Sequence, residues 1–167
     1  MSQTMPSSSQ RTVIAQAVRD AATLAAMTLD DLDAVMAIEQ TVYSHPWSRG
    51  NFMDSLNPLF DAQCLWLKGE LLGYFLAMRG FTEMHLLNIT LAPAHQAQGW
   101  GRMMLDALAL ISRHTGAQSL WLEVRQSNQR ALQVYAHYGF KQVGVRKDYY
   151  PASHQQREHA VVMSLEL

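Results

Sequence analysis

The stretch from Met84 to Arg102 constrains the fold of this chain more than any other. An apolar run ends at Pro93, a short segment containing Gly99 and Gly101 follows, and an amphipathic pattern begins behind it. This order predicts a strand, a loop and a helix N-terminus. Free N–H groups in such a loop and in the first helical turn bind anions, above all phosphate, because the helix dipole lies behind them. A plain strand-to-helix connection is the alternative interpretation.

Periodicity extends this stretch into a strand–helix–strand unit. Apolar residues recur at helical spacing after the loop, namely Met104, Ala107, Leu108 and Ile111. The pattern predicts a helix from Gly101 to about His114 that packs one face on a sheet. Residues 119–124 then predict a second strand, parallel to the strand over residues 84–91.

Further elements are predicted on both sides of this unit. Before it come a strand over residues 21–27, a helix over 28–42, a short helix over 48–56, and a hairpin of strands over 62–68 and 71–78 that turns at Gly69-Glu70. After it come a helix over 128–138 and strands over 141–148 and 159–165, linked by a Tyr-Tyr-Pro loop. The combination predicts an α/β fold of the α+β type, a mixed, mostly antiparallel sheet with helices on both faces.

Length and composition limit the function classes. We expect a flexible N-terminal tail over residues 1–20, which are rich in Ser, Gln and Thr, and one domain over residues 21–167. An organelle transit peptide is a weaker interpretation of the tail. The net charge of −1 gives no case for direct nucleic-acid binding, and no apolar run has the length of a membrane span. The single cysteine, Cys64, fits a cytoplasmic protein and is expected to be buried.

The sequence lacks the motifs that bind several other classes of ligand. The chain has no Gly-Lys-Ser/Thr phosphate loop for nucleoside triphosphates, and Met104 stands where the dinucleotide fingerprint needs its third glycine. The seven histidines, among them His154 and His159, lack metal-ligand spacing, so we expect no metal.

The loop sequence resembles a known signature. Gln96–Gly101 matches the Gln/Arg-x-x-Gly-x-Gly/Ala pattern of the GNAT acyltransferase superfamily. Segments that occur in the same order in its RimI-type subfamily of ribosomal-protein-alanine N-acetyltransferases are His45-Pro46-Trp47-Ser48, Leu87-Asn88-Ile89, Leu120–Arg125, Ser127-Asn128, Tyr135, Gly139-Phe140 and Tyr149-Tyr150-Pro151. The resemblance covers about residues 21–165.

The resemblance implies acetyl-CoA as the acetyl donor and a loop that holds its pyrophosphate. In the GNAT fold, a bulge and the splaying of one strand free N–H groups that polarise the thioester, here expected around Asn88 to Leu91. The expected cofactor-binding residues are Ile89, Thr90, Leu91, Gln96, Ala97, Gln98, Gly99, Trp100, Gly101, Arg102 and Asn128. The chain departs from the commonest subfamily form at Thr90, His95, Ala97 and Trp100, and Ala97 replaces a basic residue.

Glu123 is the candidate general base. Acetyl transfer to an amine needs the unprotonated nitrogen, whereas an α-amino group has a pKa near about 8. Glu123 shares one strand face with Trp121 and Arg125 near the strand's carboxyl end, where open α/β sheets bind ligands. A surface carboxylate paired with Arg125 or with solvent is the alternative; the resemblance favours catalysis.

Tyr135 is the candidate general acid, which would protonate the departing sulfur. It lies seven residues after Asn128, on the same helical face, so Asn128 is placed to bind the cofactor's amide arm. On spacing alone, a core aromatic residue is the favoured interpretation of Tyr135. In the RimI-type pattern the matching tyrosine is the acid.

The acceptor is the least determined part. The resemblance implies the N-terminal alanine of a small-subunit ribosomal protein, received by acidic residues around Asp30 to Asp33, Glu39 and Asp54, although these carboxylates also suit helix capping. The expected partners are acetyl-CoA and that N-terminal segment. The alternatives are a GNAT enzyme for another amine and a non-catalytic acyl-CoA-binding module. Retention of both Glu123 and Tyr135 argues against the module.

Overall fold

The computed structural model describes residues 16, 19–153 and 156–167 of the chain. The strands are β1 (Thr23–Ala26), β2 (Phe60–Leu67), β3 (Glu70–Arg79), β4 (Glu83–Leu91), β5 (Ser119–Arg125), β6 (Lys141–Pro151) and β7 (Arg157–Glu166). The helices are α1 (Leu32–Val42), α2 (Arg49–Asp54), α3 (Trp100–His114) and α4 (Gln129–Tyr138), with 3-10 turns at Leu29–Asp31 and Pro93–His95. Most of the predicted tail, residues 1–20, lies outside the described residues, as does His154.

The described strands form a seven-stranded sheet in the order β1-β2-β3-β4-β5-β7-β6. The β4–β5 pair is parallel, and the other neighbouring pairs are antiparallel. Helix α3 makes the crossover between the two parallel strands. The predicted mixed sheet and its βαβ unit are therefore confirmed.

Strand β4 is irregular where the crossover begins. The register shifts between Leu76 and Ala77 of β3, which pair with Asn88 and Leu86, so Leu87 is an extra residue in β4. Pairing of β4 with β5 ends at Leu86 and Leu122, although both strands continue. Beyond this point the two strands separate and open a cleft at their carboxyl ends.

The sheet separates two apolar cores. On one face, α3 and α4 cover a core whose fully buried side chains include Phe75, Met84, Met104, Leu105, Leu108 and Leu120. On the other face, α1 and α2 cover a smaller core that includes Leu32, Val35, Phe52, Cys64, Tyr74 and Leu76. Alternation along β5 supplies the first core, because Leu120, Leu122 and Val124 are buried while their neighbours are half-buried.

Helix ends follow the sequence signals. Ser48 accepts a hydrogen bond from the Asn51 N–H at 3.2 Å and caps α2, as predicted. Asn128 caps α4 by accepting from Ala131 N–H at 3.1 Å. Gly139, at a φ of +122°, ends α4, since this left-handed region is open mainly to glycine.

None of the described helices has both the length and the apolar character that spanning a bilayer requires.

The hairpin turn and the end of β6 differ from the prediction. The hairpin turns at Lys68-Gly69, both with positive φ, rather than at Gly69-Glu70. Tyr149-Tyr150-Pro151 was predicted as a loop but belongs to the end of β6, where Tyr150 pairs with Glu158 of β7. A bulge between Arg146 and Tyr150 allows this long strand, and local sequence does not reveal such pairing.

We predict that Gly73→Ala lowers the free energy of unfolding by about 2 kcal/mol, because overpacking forces strands apart. A Cβ at Gly73 would lie 2.3 Å from the Thr90 carbonyl oxygen of the neighbouring strand β4. Gly50→Ala is the matched control, since a Cβ at this helical site meets only Ser48 Oγ at 3.6 Å. The control should raise the free energy of unfolding by roughly 0.5 kcal/mol. Urea denaturation measures both; equal stability of the two variants would contradict the prediction.

Candidate active site

Two adjoining cavities occupy the cleft between β4 and β5. The loop-side cavity, about 490 Å³, extends from Ile89 to the loop at Gln96–Gly101. The β5-side cavity, about 360 Å³, extends from Ile89 to Glu123 and Tyr150. Residues that line both are Tyr43, Ile89, Asn128, Ala131 and Tyr135. The two cavities are therefore neighbouring halves of one cleft and meet at these side chains.

The two halves of the cleft differ in charge. The loop-side cavity is lined by Arg102 and Arg130 and by no carboxylate. The β5-side cavity is lined by Glu39, Glu123 and Arg125. The first half therefore suits an anionic group, and the second can accept a cationic one.

The loop presents backbone donors to its cavity. Gly99 has a φ of +89° and Ala97 a φ of +59°, so the chain turns sharply before α3. The N-terminus of α3 has no side-chain cap, in contrast to α2 and α4. Its first-turn N–H groups are therefore not used by a side chain and can donate to an anion.

Two of the predicted loop residues do not line this cavity. Trp100 is 5% exposed and packs into the core under α3. The Gln98 side chain donates to the Ala94 carbonyl at 2.9 Å and accepts from Trp100 Nε1 at 3.4 Å. Both were predicted as cofactor-binding residues, and their side chains are committed within the protein. Only their backbone groups remain available to a ligand.

Strand β4 turns peptide groups toward the cleft. The Ile89 carbonyl accepts from the Tyr43 hydroxyl at 3.5 Å, and the Leu91 carbonyl accepts from Gln96 Nε2 at 3.3 Å. In an antiparallel pair, the N–H and C=O of one residue point to the same side. The N–H groups of Ile89 and Leu91 therefore also face away from β3, into the space that β5 has left. The peptide groups of Thr90 point the other way, toward β3, and the residue is 3% exposed.

Asn128 caps α4 with its side-chain oxygen. Its Oδ1 accepts from the Ala131 N–H, whereas its Nδ2 donates no hydrogen bond within the described residues. Asn128 lines both cavities. The amide nitrogen is thus the group that can donate to a ligand.

Glu123 lies in the β5-side cavity, with 14% of its side chain exposed. Arg146 of β6 pairs with it at 3.1 Å between Nε and Oε1. Arg125, the partner named in the alternative interpretation, instead pairs with Glu158 at 3.2 Å. The Tyr150 hydroxyl donates to the Glu123 carbonyl at 3.0 Å. The carboxylate is held in place from β6 and keeps a route to the cavity.

Tyr135 lies where the two cavities meet. Its ring is half-buried and packs edge-on against Phe140, with ring centroids 5.7 Å apart. Burial raises the pKa of the Tyr135 hydroxyl above its ordinary value. A tyrosine hydroxyl is already protonated at neutral pH, and burial favours this form further, so the group can serve as a proton donor. Tyr135 is both a packed aromatic residue and a cleft residue.

A buried polar network supports the cleft, and sequence analysis missed it. Glu39, 1% exposed, accepts from the Trp47 N–H at 2.8 Å, from Asn88 Nδ2 at 3.2 Å and from the Tyr74 hydroxyl. Thr90 Oγ1 donates to Asn88 Oδ1 at 2.7 Å, which continues the network along β4. The only sequence signal was a carboxylate on the apolar side of a helix.

Most of the carboxylates that were predicted to bind the acceptor chain instead bind other groups of this protein. Glu39 is buried in the network, Asp31 caps its own turn by accepting from Thr28, and Asp33 pairs with Arg49 at 2.5 Å. The prediction that these carboxylates receive an acceptor chain is therefore not supported by their contacts. Their capping and pairing follow the alternative that the sequence had left open.

Two predictions concern residues outside the cleft, namely the burial of Cys64 and the metal content. Cys64 is fully buried, and burial raises the pKa of its thiol to about 12, so it remains a thiol at neutral pH. Within residues 16, 19–153 and 156–167, no group of three or more His, Cys, Asp or Glu side chains is arranged to hold a metal ion.

Comparisons with known proteins agree with this architecture. The model of the acetyltransferase (GNAT) family matches residues 32–140. A curated relative from Haemophilus ducreyi, [ribosomal protein bS18]-alanine N-acetyltransferase, is 34% identical over 137 residues, which cover 82% of this chain and 94% of the relative.

Solved structures show the same fold. The crystal structure of the ribosomal-protein-S18-alanine N-acetyltransferase from Escherichia coli has a TM-score of 0.80 at 32% identity and covers 87% of this chain and 93% of its own. A GNAT family acetyltransferase from Elizabethkingia anophelis with acetyl-CoA bound has a TM-score of 0.72 at 19% identity, covering 89% and 99%. The family match spans more than half of the chain, and so this protein belongs to the GNAT family of acetyltransferases.

Proposed function

We propose that this protein transfers the acetyl group of acetyl-CoA to the N-terminal alanine of a small-subunit ribosomal protein, in the cytoplasm. Two observations carry the proposal. A relative of that activity matches 94% of its own length at 34% identity, and Glu123 and Tyr135 of this chain face one cleft. The catalytic domain in this proposal spans residues 21–167.

Acetyl-CoA fits the loop-side cavity as the donor substrate. The uncapped N-terminus of α3 and the Gly99 turn offer N–H groups to its diphosphate. Asn128 offers its amide nitrogen to the pantetheine arm, and the thioester is proposed to lie at Ile89, where both halves of the cleft meet.

The peptide groups of β4 are proposed to activate the thioester. Negative charge develops on the carbonyl oxygen as the amine attacks, and preorganised N–H donors stabilise it. The Ile89 N–H faces the cleft because β4 has left β5 at Leu86. The identity of the side chain matters little for this task, since the donor belongs to the main chain.

Glu123 is proposed to accept the proton of the acceptor amine, directly or through a water molecule. Its carboxylate borders the β5-side cavity and is fixed by Arg146. Tyr135, whose hydroxyl carries its proton at neutral pH, is proposed to donate to the departing sulfur. The two residues then divide the base and acid roles.

A direct assay tests the acceptor. Purified protein is incubated with acetyl-CoA and either of two basic peptides, one that begins with alanine and lacks lysine, and one with a blocked N-terminus and an internal lysine. Tandem mass spectrometry locates the acetyl group. We expect acetylation of the N-terminal alanine; acetylation of lysine alone would refute the proposal, and thiol release without either product would indicate another amine.

Glu123→Gln should lower kcat/KM by about 100-fold at pH 7, because no base then takes the amine proton. The deficit should shrink as pH rises through about 8, where the free amine becomes abundant. Glu166→Gln is the control: Glu166 is exposed at the far end of β7, opposite Ser119. An unchanged rate and pH profile for Glu123→Gln would exclude this residue as the base.

Tyr135→Phe should lower kcat about tenfold and leave the Kd of acetyl-CoA within a factor of two. The loss is modest because a thiol of pKa near about 8.5 leaves readily even as thiolate. Removal of an oxyanion donor costs more, roughly 100-fold or above. Tyr138→Phe is the control on the same helix, since its hydroxyl donates to Asp106 at 2.8 Å. Equal kinetics of Tyr135→Phe and wild type would remove Tyr135 from the mechanism.

A further inference from the structure

The loop Gln96–Gly101 contains no charged residue, although arginines surround it. Its sequence is Gln-Ala-Gln-Gly-Trp-Gly. A diphosphate carries about two negative charges, and hydrogen bonds to it are strongest when the donor is cationic. Backbone N–H groups supply only the partial charge of a helix terminus, about +0.5. Side chains from outside the loop are therefore the available source of full positive charge.

Arg130 reaches the first residue of the loop from α4. Its Nη1 donates to Gln96 Oε1 at 3.3 Å, and its side chain lines the loop-side cavity. No ion pair of Arg130 with a carboxylate occurs in the part of the chain that the structure describes. In contrast, Arg79 and Arg125 bind carboxylates within 3.2 Å.

Arg19 contacts the middle of the loop, although it is not among the residues that line the loop-side cavity. Its Nη2 donates to the Gln98 carbonyl at 3.4 Å and lies 2.7 Å from the point where a Cβ on Gly99 would stand. A side chain at this position would displace the guanidinium from where it lies. Arg19 precedes residue 32, where the family match begins, so this contact is added by the segment before the family domain.

Arg130 and Arg19 therefore contact the loop at two points, its first residue and its middle, and no carboxylate of the described residues lines the loop-side cavity. We propose that Arg130 and Arg19 bind the diphosphate of acetyl-CoA from these two points. They supply from α4 and from the N-terminal segment the positive charge that the loop lacks. The inference rests on the proposed function, because it assigns ligands within the proposed donor site.

The test measures binding without any acceptor. Isothermal titration calorimetry gives the Kd of coenzyme A for wild type, Arg130→Ala, Arg19→Ala and Arg113→Ala. Arg113, in the last turn of α3, is exposed and controls for the loss of one positive charge. We expect Kd to rise about tenfold for Arg130→Ala and for Arg19→Ala, and to stay within a factor of two for the control. Wild-type affinity of Arg130→Ala or of Arg19→Ala would overturn the assignment of that arginine.

Truncated ligands identify which phosphate is bound. Dephospho-coenzyme A keeps the diphosphate and lacks the 3′-phosphate, whereas pantetheine lacks both. The effect of Arg130→Ala should persist with dephospho-coenzyme A and vanish with pantetheine. If it vanishes already with dephospho-coenzyme A, the residue contacts the 3′-phosphate, and the proposal is wrong.

A relocated charge separates electrostatic from structural effects. Ala97→Arg in the Arg130→Ala background returns a cation to the loop without new backbone strain, because Ala97 already carries a Cβ at its φ of +59°. The double variant should recover at least half of the lost binding free energy, that is, about threefold in Kd. Failure to recover, with an unchanged thermal melt, would show that Arg130 acts by packing. Wild-type protein that binds no coenzyme A would instead refute the proposed donor site.

Discussion

The separation of β4 from β5 is the constraint on which the rest of the site depends. Parallel strands normally continue their hydrogen-bond ladder, and unpaired peptide groups cost free energy when buried. Here the ladder stops at Leu86 and Leu122, and part of that cost is offset by side chains, since Tyr43 donates to Ile89 and Gln96 to Leu91. The extra residue Leu87 lets β4 stay paired with β3 while it turns away from β5. The remaining N–H groups become available for a substrate.

The Glu39 network holds this separation from the other face of the sheet. The Glu39 carboxylate accepts hydrogen bonds from Trp47 in the segment before α2, from Tyr74 of β3 and from Asn88 of β4. A buried carboxylate is stable only with such a set of donors. Since these three donors come from different elements, the network fixes the position of β4 relative to α1, and with it the width of the cleft. The network therefore has a structural role, although Glu39 also borders the β5-side cavity.

Local patterns predicted most of the fold, and non-local pairing accounts for what they missed. Alternation in β5 correctly placed Glu123 opposite the buried Leu122, and Gly99 correctly marked the turn into α3. The partner of Glu123 depends on the register of β6, β7 and β5, so Arg146 was not identified, whereas sequence proximity suggested Arg125. Trp100 illustrates a second limit. A residue inside a binding motif points into the core because the helix begins one residue earlier than its periodicity indicated.

The charge distribution of the cleft determines how the two substrates must enter. Coenzyme A carries its phosphates at one end, and the amine acceptor arrives mostly as an ammonium ion at neutral pH. The loop-side cavity offers Arg102 and Arg130 without a carboxylate, and the β5-side cavity offers Glu123. The reverse orientation would place a diphosphate beside Glu123 and an ammonium beside two arginines, and each juxtaposition of like charges is unfavourable. Because both halves meet at Ile89 and Tyr135, opposite entry brings the thioester and the amine together only there. Charge thus selects the direction of approach before any side chain takes part in proton transfer.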